Sequence, residues 1–363
     1  MNEIEIIRDT AAFARLQSEW TELLGSARAD CLFLTREWLH TWWAHLAEER
    51  QLFIVTVRHD SKLIAIAPLS IATAWPSVRV LEFLGTGSVG SDYLDFIVHR
   101  EHEPAAIAAL IEFFAGAGLT LRLPGVRRDS IVASVLENEL RERGWRSREV
   151  AMQVCPYIRL DFPSFDAYLS SVGASHRYNF RRRLRNLEKK YSVRFEDSPD
   201  ALQHVIDLHL VRWNARGGSD GFHRECLRMF HRQMSVIARE RGWLRLRLLT
   251  LNGRVAAAFY GFRYRESYCF YQSGFDESFS KESVGLVMIG LSIKEAIGEG
   301  AAQYDMLHGD ERYKSLWTRD ARPLLRLEMY PPGVVGRMHR DSVAAVAATK
   351  KLVKRTLYAP LNR

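Results

Sequence analysis

The sequence predicts a mixed α/β protein of two tandem units, each a mixed, mostly antiparallel sheet flanked by helices, followed by a basic C-terminal helix. Two far-separated β-rich hairpins carry that expectation: "LFIVTVRHDSKLIAIAPLSIA", turning at His59-Asp60-Ser61-Lys62, and "WLRLRLLTLNGRVAAAFYGFRY", turning at Asn252-Gly253. Asn-Gly is the strongest short hairpin signal, because both residues tolerate the positive φ of a type I′ turn. The elements around both hairpins also run in one order (helix, hairpin, strands, helix, strand, helix, strand), the mark of a duplicated unit. At 363 residues the chain is long enough for two cores.

The first unit, residues 1–155, begins its pattern with a helix over 35–47, where "REWLHTWW" sets Trp38 and Trp42 at i, i+4 as core residues. After the hairpin come strands near 78–84 and 93–98, a helix over 105–115, a strand over 119–123, a helix over 130–143 and a strand from Trp145. "LDFPSFDAYLSSVGASHRYNF" reads as a helical bridge, with Ser164 as N-cap and a bend at Gly173. The second unit, residues 156–335, opens on a basic helix. Its hairpin leads into a strand over 267–275, a helix over 285–299, a strand over 303–307, a short helix and a strand over 324–330. Residues 336–363 form the basic tail.

Apolar residues make up 47% and charged residues 26%, the balance of a folded globular chain. The longest mostly apolar stretch, Leu63 to Trp75, is broken by Pro68 and falls short of the roughly 20 residues of a membrane span. "MNEIEIIRDT" has acids where a secretory signal has bases. Cys31, Cys155, Cys226 and Cys269 are scattered, which fits a reducing cytoplasm and argues against a disulfide framework or zinc site. The histidine pairs lack metal-ligand spacing with a third ligand, and no G-x-S-x-G or Walker loop occurs. The net charge of +8 is concentrated: residues 175–194 hold +7 and residues 337–363 hold +6, leaving the rest at −5. Such a body repels a polyanion, so DNA is not an expected partner.

One helix start suits an anion. After the strand "SYCFYQSGFD" and loop "ESFSKE" comes "SVGLVMIGLSIKEAIGEG", where Ser283 can cap, Gly285 lets the backbone approach and Lys281 adds charge. An ordinary capped helix is the competing explanation. The matching helix of the first unit starts in "HREHEPAAIAAL", with acids and Pro104 instead.

Hairpin, strand, glycine-bearing helix start and strand together resemble the GNAT acyltransferase fold. The resemblance implies acetyl-CoA or another acyl-CoA as co-substrate, with its pyrophosphate held by Phe275, Lys281, Ser283, Val284, Gly285 and Leu286, and no metal. The run "YQSGFDESFSKESVGLVMIGLSIKEAIGEGAAQYDMLHGDERYKSLW" resembles the CelD-like branch, associated with cellulose and exopolysaccharide biosynthesis and similar to the tandem Fem-type peptidyltransferases. The likeness spans Phe33 to Tyr330 and is most specific at Tyr271–Gly274, Ser283–Leu286 and Tyr304–Trp317. It departs in the pyrophosphate loop, usually Q/R-x-x-G-x-G/A, where Val287 stands in place of a second small residue. Looser donor binding, or a donor other than acetyl-CoA, follows.

N-acyl transfer needs an uncharged amine against a thioester, a route for its proton and a donor to the developing oxyanion. The resemblance places the oxyanion donor in the backbone around Tyr271 to Phe275. Tyr271, Asp305, His308, Asp310 and Lys314 could converge there. Asp305 is the candidate general base, against a turn ligand; Lys314 matches the lysine of a Y/F-K pair, against a solvated lysine; His308 reads as a loop histidine. "GTGSVGSDYLDF" resembles the G-P-V-x-D-Y region of Fem-type enzymes without its proline, and Asp92 takes the acid's position, facing the acceptor or completing a turn.

In "SHRYNFRRRLRNLEKK", Phe180, Leu184, Leu187 and Tyr191 share one helical face, and Arg177, Arg181 and Arg185 another. Like charges at i, i+4 cost a few tenths of a kcal/mol per pair, so a merely solvated helix would mix in acids, although arginine stems also pack well. The segment resembles the R-Y-N-I/V helix of Fem-type enzymes. By that resemblance Arg177 contacts a phosphate of a small-molecule or lipid-linked anionic acceptor, and Arg181, on the same helical face, is expected to join it. No helix-turn-helix companion accompanies it. The tail sets Val343, Val346, Leu352, Val353 and Leu357 beside Lys350, Lys351, Lys354 and Arg355. It could touch anionic membrane at the inner face or dock on the body. The expected activity is cytoplasmic N-acyl transfer, acetyl first, from CoA to an amine on a sugar, nucleotide-sugar or envelope precursor. Fem-like transfer from aminoacyl-tRNA and a degenerate module binding polysaccharide-synthesis partners or lipid are the alternatives.

Overall fold

The computed structural model describes residues 2–74, 78–214 and 222–357; side chains at 212–214, 347 and 350–357 lie outside that description. Strands β1 (Asn2–Ile7), β2 (Gln51–His59), β3 (Lys62–Ala74), β4 (Val78–Phe83), β5 (Ile97–Val98), β6 (Thr120–Arg127) and β7 (Arg146–Arg159) come first in the chain. They are followed by β8 (Val193–Asp197), β9 (Leu244–Leu251), β10 (Arg254–Tyr264), β11 (Ser267–Phe275), β12 (Gln303–Asp305) and β13 (Ala321–Tyr330). All join in one 13-stranded sheet in the order β1-β2-β3-β4-β6-β13-β7-β12-β11-β10-β9-β8, with β5 on β3. Two units therefore share one continuous sheet. The expected boundary at 155/156 falls inside β7, whose first part pairs with β13 and whose end, Tyr157 to Arg159, pairs with β12. β13 in turn pairs with β6 of the first unit.

The helices are α1 (Thr10–Arg15), α2 (Gln17–Ser26), α3 (Arg36–Leu46), α4 (Glu103–Ala117), α5 (Glu137–Glu142), α6 (Phe165–Ser171), α7 (Ala174–Lys190), α8 (Ala201–Asn214), α9 (Glu225–Glu240), α10 (Val284–Gly298) and α11 (Val334–Leu357). Local chemistry sets several of them as expected. Asp60 and Ser61 (φ 48° and 67°), like Asn252 and Gly253 (φ 50° and 78°), close their hairpins through positive φ. Thr35 Oγ1 accepts from Trp38 N at 3.3 Å to start α3, and Ser164 Oγ accepts from Ala167 N at 3.2 Å to start α6.

Other stretches differ. Residues 93–96 run without sheet pairing, so the strand there is only Ile97–Val98. The helix over 130–143 begins as a π turn, Val132–Leu136, before α5. β1, β8, α1, α2, α8 and α9 complete the architecture without having been assigned from the sequence. The tail is helical to Leu357, and its cluster Lys350, Lys351, Lys354 and Arg355 lies outside the described side chains. Among the described residues no helix is long and apolar enough to cross a membrane.

Two cores lie on opposite faces of the β9–β11 sheet. Leu249, Ala257 and Phe259 point into a core shared with α6, α7 and α10, whereas Leu248, Ala258 and Tyr260 point into a core shared with α8, α9 and the first unit. Trp38 sits where the units meet, edge-on to Phe230, Phe262 and Tyr271. It and Trp42 are fully buried, as their spacing implied. On the other face Phe180 enters the surface of α10 at Gly290, where a Cβ would stand 2.1 Å from the ring.

Candidate active site

β11 and β12 pair in parallel from Ser267 opposite Gln303 to Cys269 opposite Asp305, and then part. On the other side of β11 the register with β10 passes from Gly261↔Phe270 to Tyr260↔Gln272, so Tyr271 is the extra residue of a bulge. Bulges bend a strand and re-aim its side chains. Gly261 allows this one, because a Cβ there would meet the Cys269 carbonyl at 2.5 Å. Beyond the bulge a cavity of about 340 Å³ opens between the strand ends, the glycine loop of the first unit and α9, lined by Gly90, His231, Tyr271, Gln272, His308 and Lys314 among others.

The most consequential pair in this cavity comes from both units. His308 Nδ1 lies 2.9 and 3.0 Å from the two Asp92 carboxylate oxygens, and the His308 backbone N–H donates to Asp92 Oδ2 at 2.9 Å. Asp92 is 3% exposed, whereas the His308 side chain keeps 39% of its surface. The hydrogen bond that His308 Nδ1–H donates to the Asp92 carboxylate holds the imidazole pKa above its ordinary value against the opposing effect of burial. Among the described residues His308 Nε2 has no protein partner. Gly90 permits this arrangement, since a Cβ there would fall 2.7 Å from His308 Cε1.

Asp305, expected as the general base, lies apart from this pair and lines a neighbouring cavity. Its Oδ2 accepts from Tyr93 OH at 2.8 Å and Arg322 Nη1 at 3.1 Å, and its Oδ1 from Leu307 N at 2.8 Å. Burial pushes its pKa up to about 6. That cavity, of about 270 Å³, is also lined by Tyr93, Arg127 and Arg322. Tyr93 and Leu307 are both left-handed (φ 61° and 51°), a conformation bulky residues adopt only where surroundings enforce it. Adjacent residues of the first unit thus clamp the β12 end: Asp92 holds His308 and Tyr93 holds Asp305.

Lys314 is buried, 3% exposed, so the solvated alternative falls. Its Nζ donates to the His308 carbonyl at 2.8 Å and the Leu307 carbonyl at 3.4 Å, and pairs with Glu311 at 3.0 Å. It lines the cavity and fixes the loop that carries His308. Tyr271 donates its hydroxyl to the Val89 carbonyl, and burial raises its pKa, so it is a neutral anchor for the glycine loop. His231 is buried with Nδ1 unpartnered, and burial lowers its pKa to about 3, leaving a neutral imidazole in the wall.

The α10 start offers the unbonded N–H groups of Val284, Gly285 and Leu286. Ser283 does not cap it: the residue is left-handed (φ 59°), and its side chain makes no cap bond. Phe275 sits over the glycine, with its Cδ1 3.4 Å from where a Gly285 Cβ would stand. The loop is held from α7, because Arg183 Nη1 donates to the Lys281 carbonyl at 2.8 Å and Lys190 pairs with Glu282 at 2.9 Å. Free amides and a glycine suit a pyrophosphate; the Phe275 ring narrows its approach.

Arg177 and Arg181, expected to contact an acceptor phosphate, have partners within the protein. Arg177 Nη1 donates to the carbonyls of Leu169, Ser170 and Val172 at the end of α6, and Arg181 pairs with Asp166 at 2.8 Å. They lie on the α10 face of the sheet, opposite the Asp92–His308 cavity. The acid–imidazole pair escaped the sequence reading because its members are 216 residues apart. Among the described residues no three His, Cys, Asp or Glu side chains gather as metal ligands.

Residues 174–315 match the family model of the acetyltransferase (GNAT) domain. Among solved structures, FemX superposes with a TM-score of 0.62 at 12% identity, over 89% of this chain and 96% of FemX. A conserved protein of unknown function from Bacteroides thetaiotaomicron VPI-5482 gives 0.57 at 16%, over 90% and 99% of the two chains. The C-terminal domain (DUF2156) of a putative lysylphosphatidylglycerol synthetase from Agrobacterium fabrum gives 0.52 at 12%, over 94% and 97%. No curated protein matches the sequence. At these identities the likeness is one of fold, and it extends over both units, in line with the tandem mixed α/β architecture expected from the sequence.

Proposed function

We propose that the protein is a GNAT-type N-acyltransferase that moves an acyl group from acyl-CoA to an amine on an anionic sugar, nucleotide-sugar or exopolysaccharide precursor of the CelD-like kind, with His308 as general base. The supporting observation is the Asp92–His308 pair, whose imidazole faces the cavity beyond the β11 bulge, where β11 and β12 have parted. A neutral amine in that cavity attacks the thioester carbon, and its proton passes to His308 Nε2. Asp92 keeps Nδ1 protonated and stabilises the imidazolium that forms. Backbone N–H groups beyond the bulge receive the oxyanion, and as the C–S bond breaks the imidazolium returns its proton to the sulfur, so that CoA leaves as the thiol. Lys314 acts through the loop it ties down, and the α10 start receives the donor pyrophosphate.

The test is thermal unfolding with acetyl-CoA, followed by thiol release with amino-sugar acceptors. A donor at one hundred times its Kd stabilises by about 2.7 kcal/mol, a clear shift in Tm. No shift with any acyl-CoA overturns the donor assignment. One observation favours a second donor, the aminoacyl ester of a tRNA: the Phe275 ring against Gly285 narrows the pyrophosphate approach. Stabilisation by aminoacyl-tRNA but not by CoA would select it.

A further inference from the structure

A polar cavity of about 340 Å³ lies between α11 and the strands β6 and β13. Alternate residues of a strand share a face, so Thr120 and Arg122 of β6 stand beside Arg326 and Glu328 of β13, with Glu328 directly opposite Arg122. His339 of α11 covers them, its Nδ1 3.2 Å from Thr120 Oγ1. Two buried carboxylates, Glu82 and Glu328, meet three guanidinium groups here. Arg122 Nε donates to Glu82 at 2.5 Å and Arg326 Nε to Glu328 at 2.8 Å, while Arg50 Nη2 lies 3.5 Å from Glu82. At the rim, Glu48 on Arg50 at 3.4 Å and Arg148 on Glu328 at 3.7 Å offset each other. Burial lowers the His339 pKa and keeps its imidazole neutral, so one positive charge in the cavity is uncompensated. Arg122 and Arg326 are also only half engaged. Each binds its glutamate through Nε, and among the described residues none of their Nη nitrogens donates a hydrogen bond. Those nitrogens are not buried, and both side chains keep 37% of their surface.

We propose that the Nη groups of Arg122 and Arg326 form a carboxylate subsite of the acyl-transfer centre, and that the acceptor is an amino sugar of the hexuronate class. This rests on the N-acyl transfer assigned to the Asp92–His308 cavity. The two cavities meet in the glycine loop: Gly87 lines the one under α11, and the next residue, Ser88, lines the other. Trp42 Nε1 holds the Thr86 carbonyl at 3.1 Å, and Gly90 N closes the turn on the Gly87 carbonyl at 3.3 Å. A Cβ at Gly87 would meet nothing within 4 Å, so the loop leaves open space there. Charge selects the anion. A carboxylate matches the single uncompensated positive charge, whereas a phosphate monoester brings a charge of about −1.5 to −2 and sets the excess against Glu82 and Glu328. Shape agrees, because a planar carboxylate accepts parallel N–H bonds from guanidinium forks. With its carboxylate held there, the sugar extends across Gly87 and Ser88 and brings its amine to His308.

Calorimetric titration of the full chain, without acetyl-CoA, with glucuronate, glucose monophosphate and glucose tests this. Glucuronate should bind about tenfold more tightly than either of the others, the worth of one charge-assisted hydrogen bond. Arg122→Gln and Arg326→Gln should each weaken it by about tenfold. Arg326→Lys keeps a charge beside Glu328 but loses the planar fork, so it should also weaken glucuronate, and it carries the test if Arg326→Gln fails to fold. In turnover with acetyl-CoA, glucosaminuronate should be preferred to glucosamine, and Arg326→Lys should erase that preference through KM. Tighter binding of glucose monophosphate than of glucuronate overturns the carboxylate class. No binding of glucuronate to millimolar concentration, or an affinity equal to wild type in every folded variant, overturns the site. The two readings fail separately. Glucuronate binding without acetylation of either amine overturns N-acyl transfer to this acceptor and leaves the anion site, whereas acetylation of both amines with equal kcat/KM overturns the subsite and leaves acyl transfer.

Discussion

His308 of the second unit and Asp92 of the first stand 2.9 Å apart, nitrogen to oxygen, and neither unit alone contains both halves of the pair. His308→Gln should therefore lower kcat by 10²- to 10⁴-fold, the usual range for a lost general base, with the acetyl-CoA-induced Tm shift intact. Asp92→Asn should fall in the same direction by less. Unchanged turnover in His308→Gln removes the residue from the mechanism.

The pH profile carries a second expectation. The base acts when neutral, and Asp92 raises its pKa above 6.5, so kcat/KM should fall as pH drops through that raised value. In Asp92→Asn the midpoint should move down. The stability term has the opposite sense: the pair's extra stability is present below the unfolded pKa and fades as pH rises through the folded one. Steady-state rates between pH 5 and 9 for both proteins check the first sign, and thermal melts the second.

Asp305 supplies a third. Burial raises its carboxyl from 3.8 to about 6, so in that window the folded protein holds a proton the unfolded chain has lost. Stability from this group declines as pH rises across the window. Asp305→Asn should gain on wild type by a growing margin from pH 4 to pH 6 in paired thermal melts. A margin that stays flat would mean the carboxyl ionises normally.

Gly290→Ala tests the α7–α10 contact. Its new Cβ would lie 2.1 Å from the Phe180 ring, so the helices must separate. About 1–3 kcal/mol of destabilisation is expected in urea, typical of overpacking. Adding Phe180→Leu should recover part of it; equal losses in the single and double variants would locate the strain elsewhere.

Arg177→Ala should behave as a lost helix-end ligand. Removing the donor to the α6 carbonyls costs about 1 kcal/mol per net hydrogen bond, and the acceptor KM should not move. A large rise in that KM with stability unchanged would restore the acceptor role its R-Y-N context suggests.

What the sequence made legible was local. The two hairpin turns, the Ser164 cap and the Phe180 stripe follow from residue chemistry within a few positions. Pairing across distance was not legible: a run such as Ala321–Tyr330 announces a strand without naming β6 and β7 as its neighbours. The site divides in the same way. Lys314 and Tyr271 were found from their local motifs, but His308 looked ordinary until Asp92 came beside it, and Arg177 looked available until the end of α6 occupied its guanidinium. Ser283 failed as a cap because its left-handed backbone, invisible in residue type, leaves its side chain without a cap bond.

The place of β13 in the sheet has a consequence in time. Because Ala321–Tyr330 fills the slot between β6 and β7, ribosome-bound intermediates lacking it carry two open strand edges in the half made first, where a chaperone or a second nascent chain could pair. The amino-terminal half thus remains unfinished until residue 330 has left the exit tunnel. The Asp92–His308 pair is likewise completed late, because its two halves lie 216 residues apart in the chain.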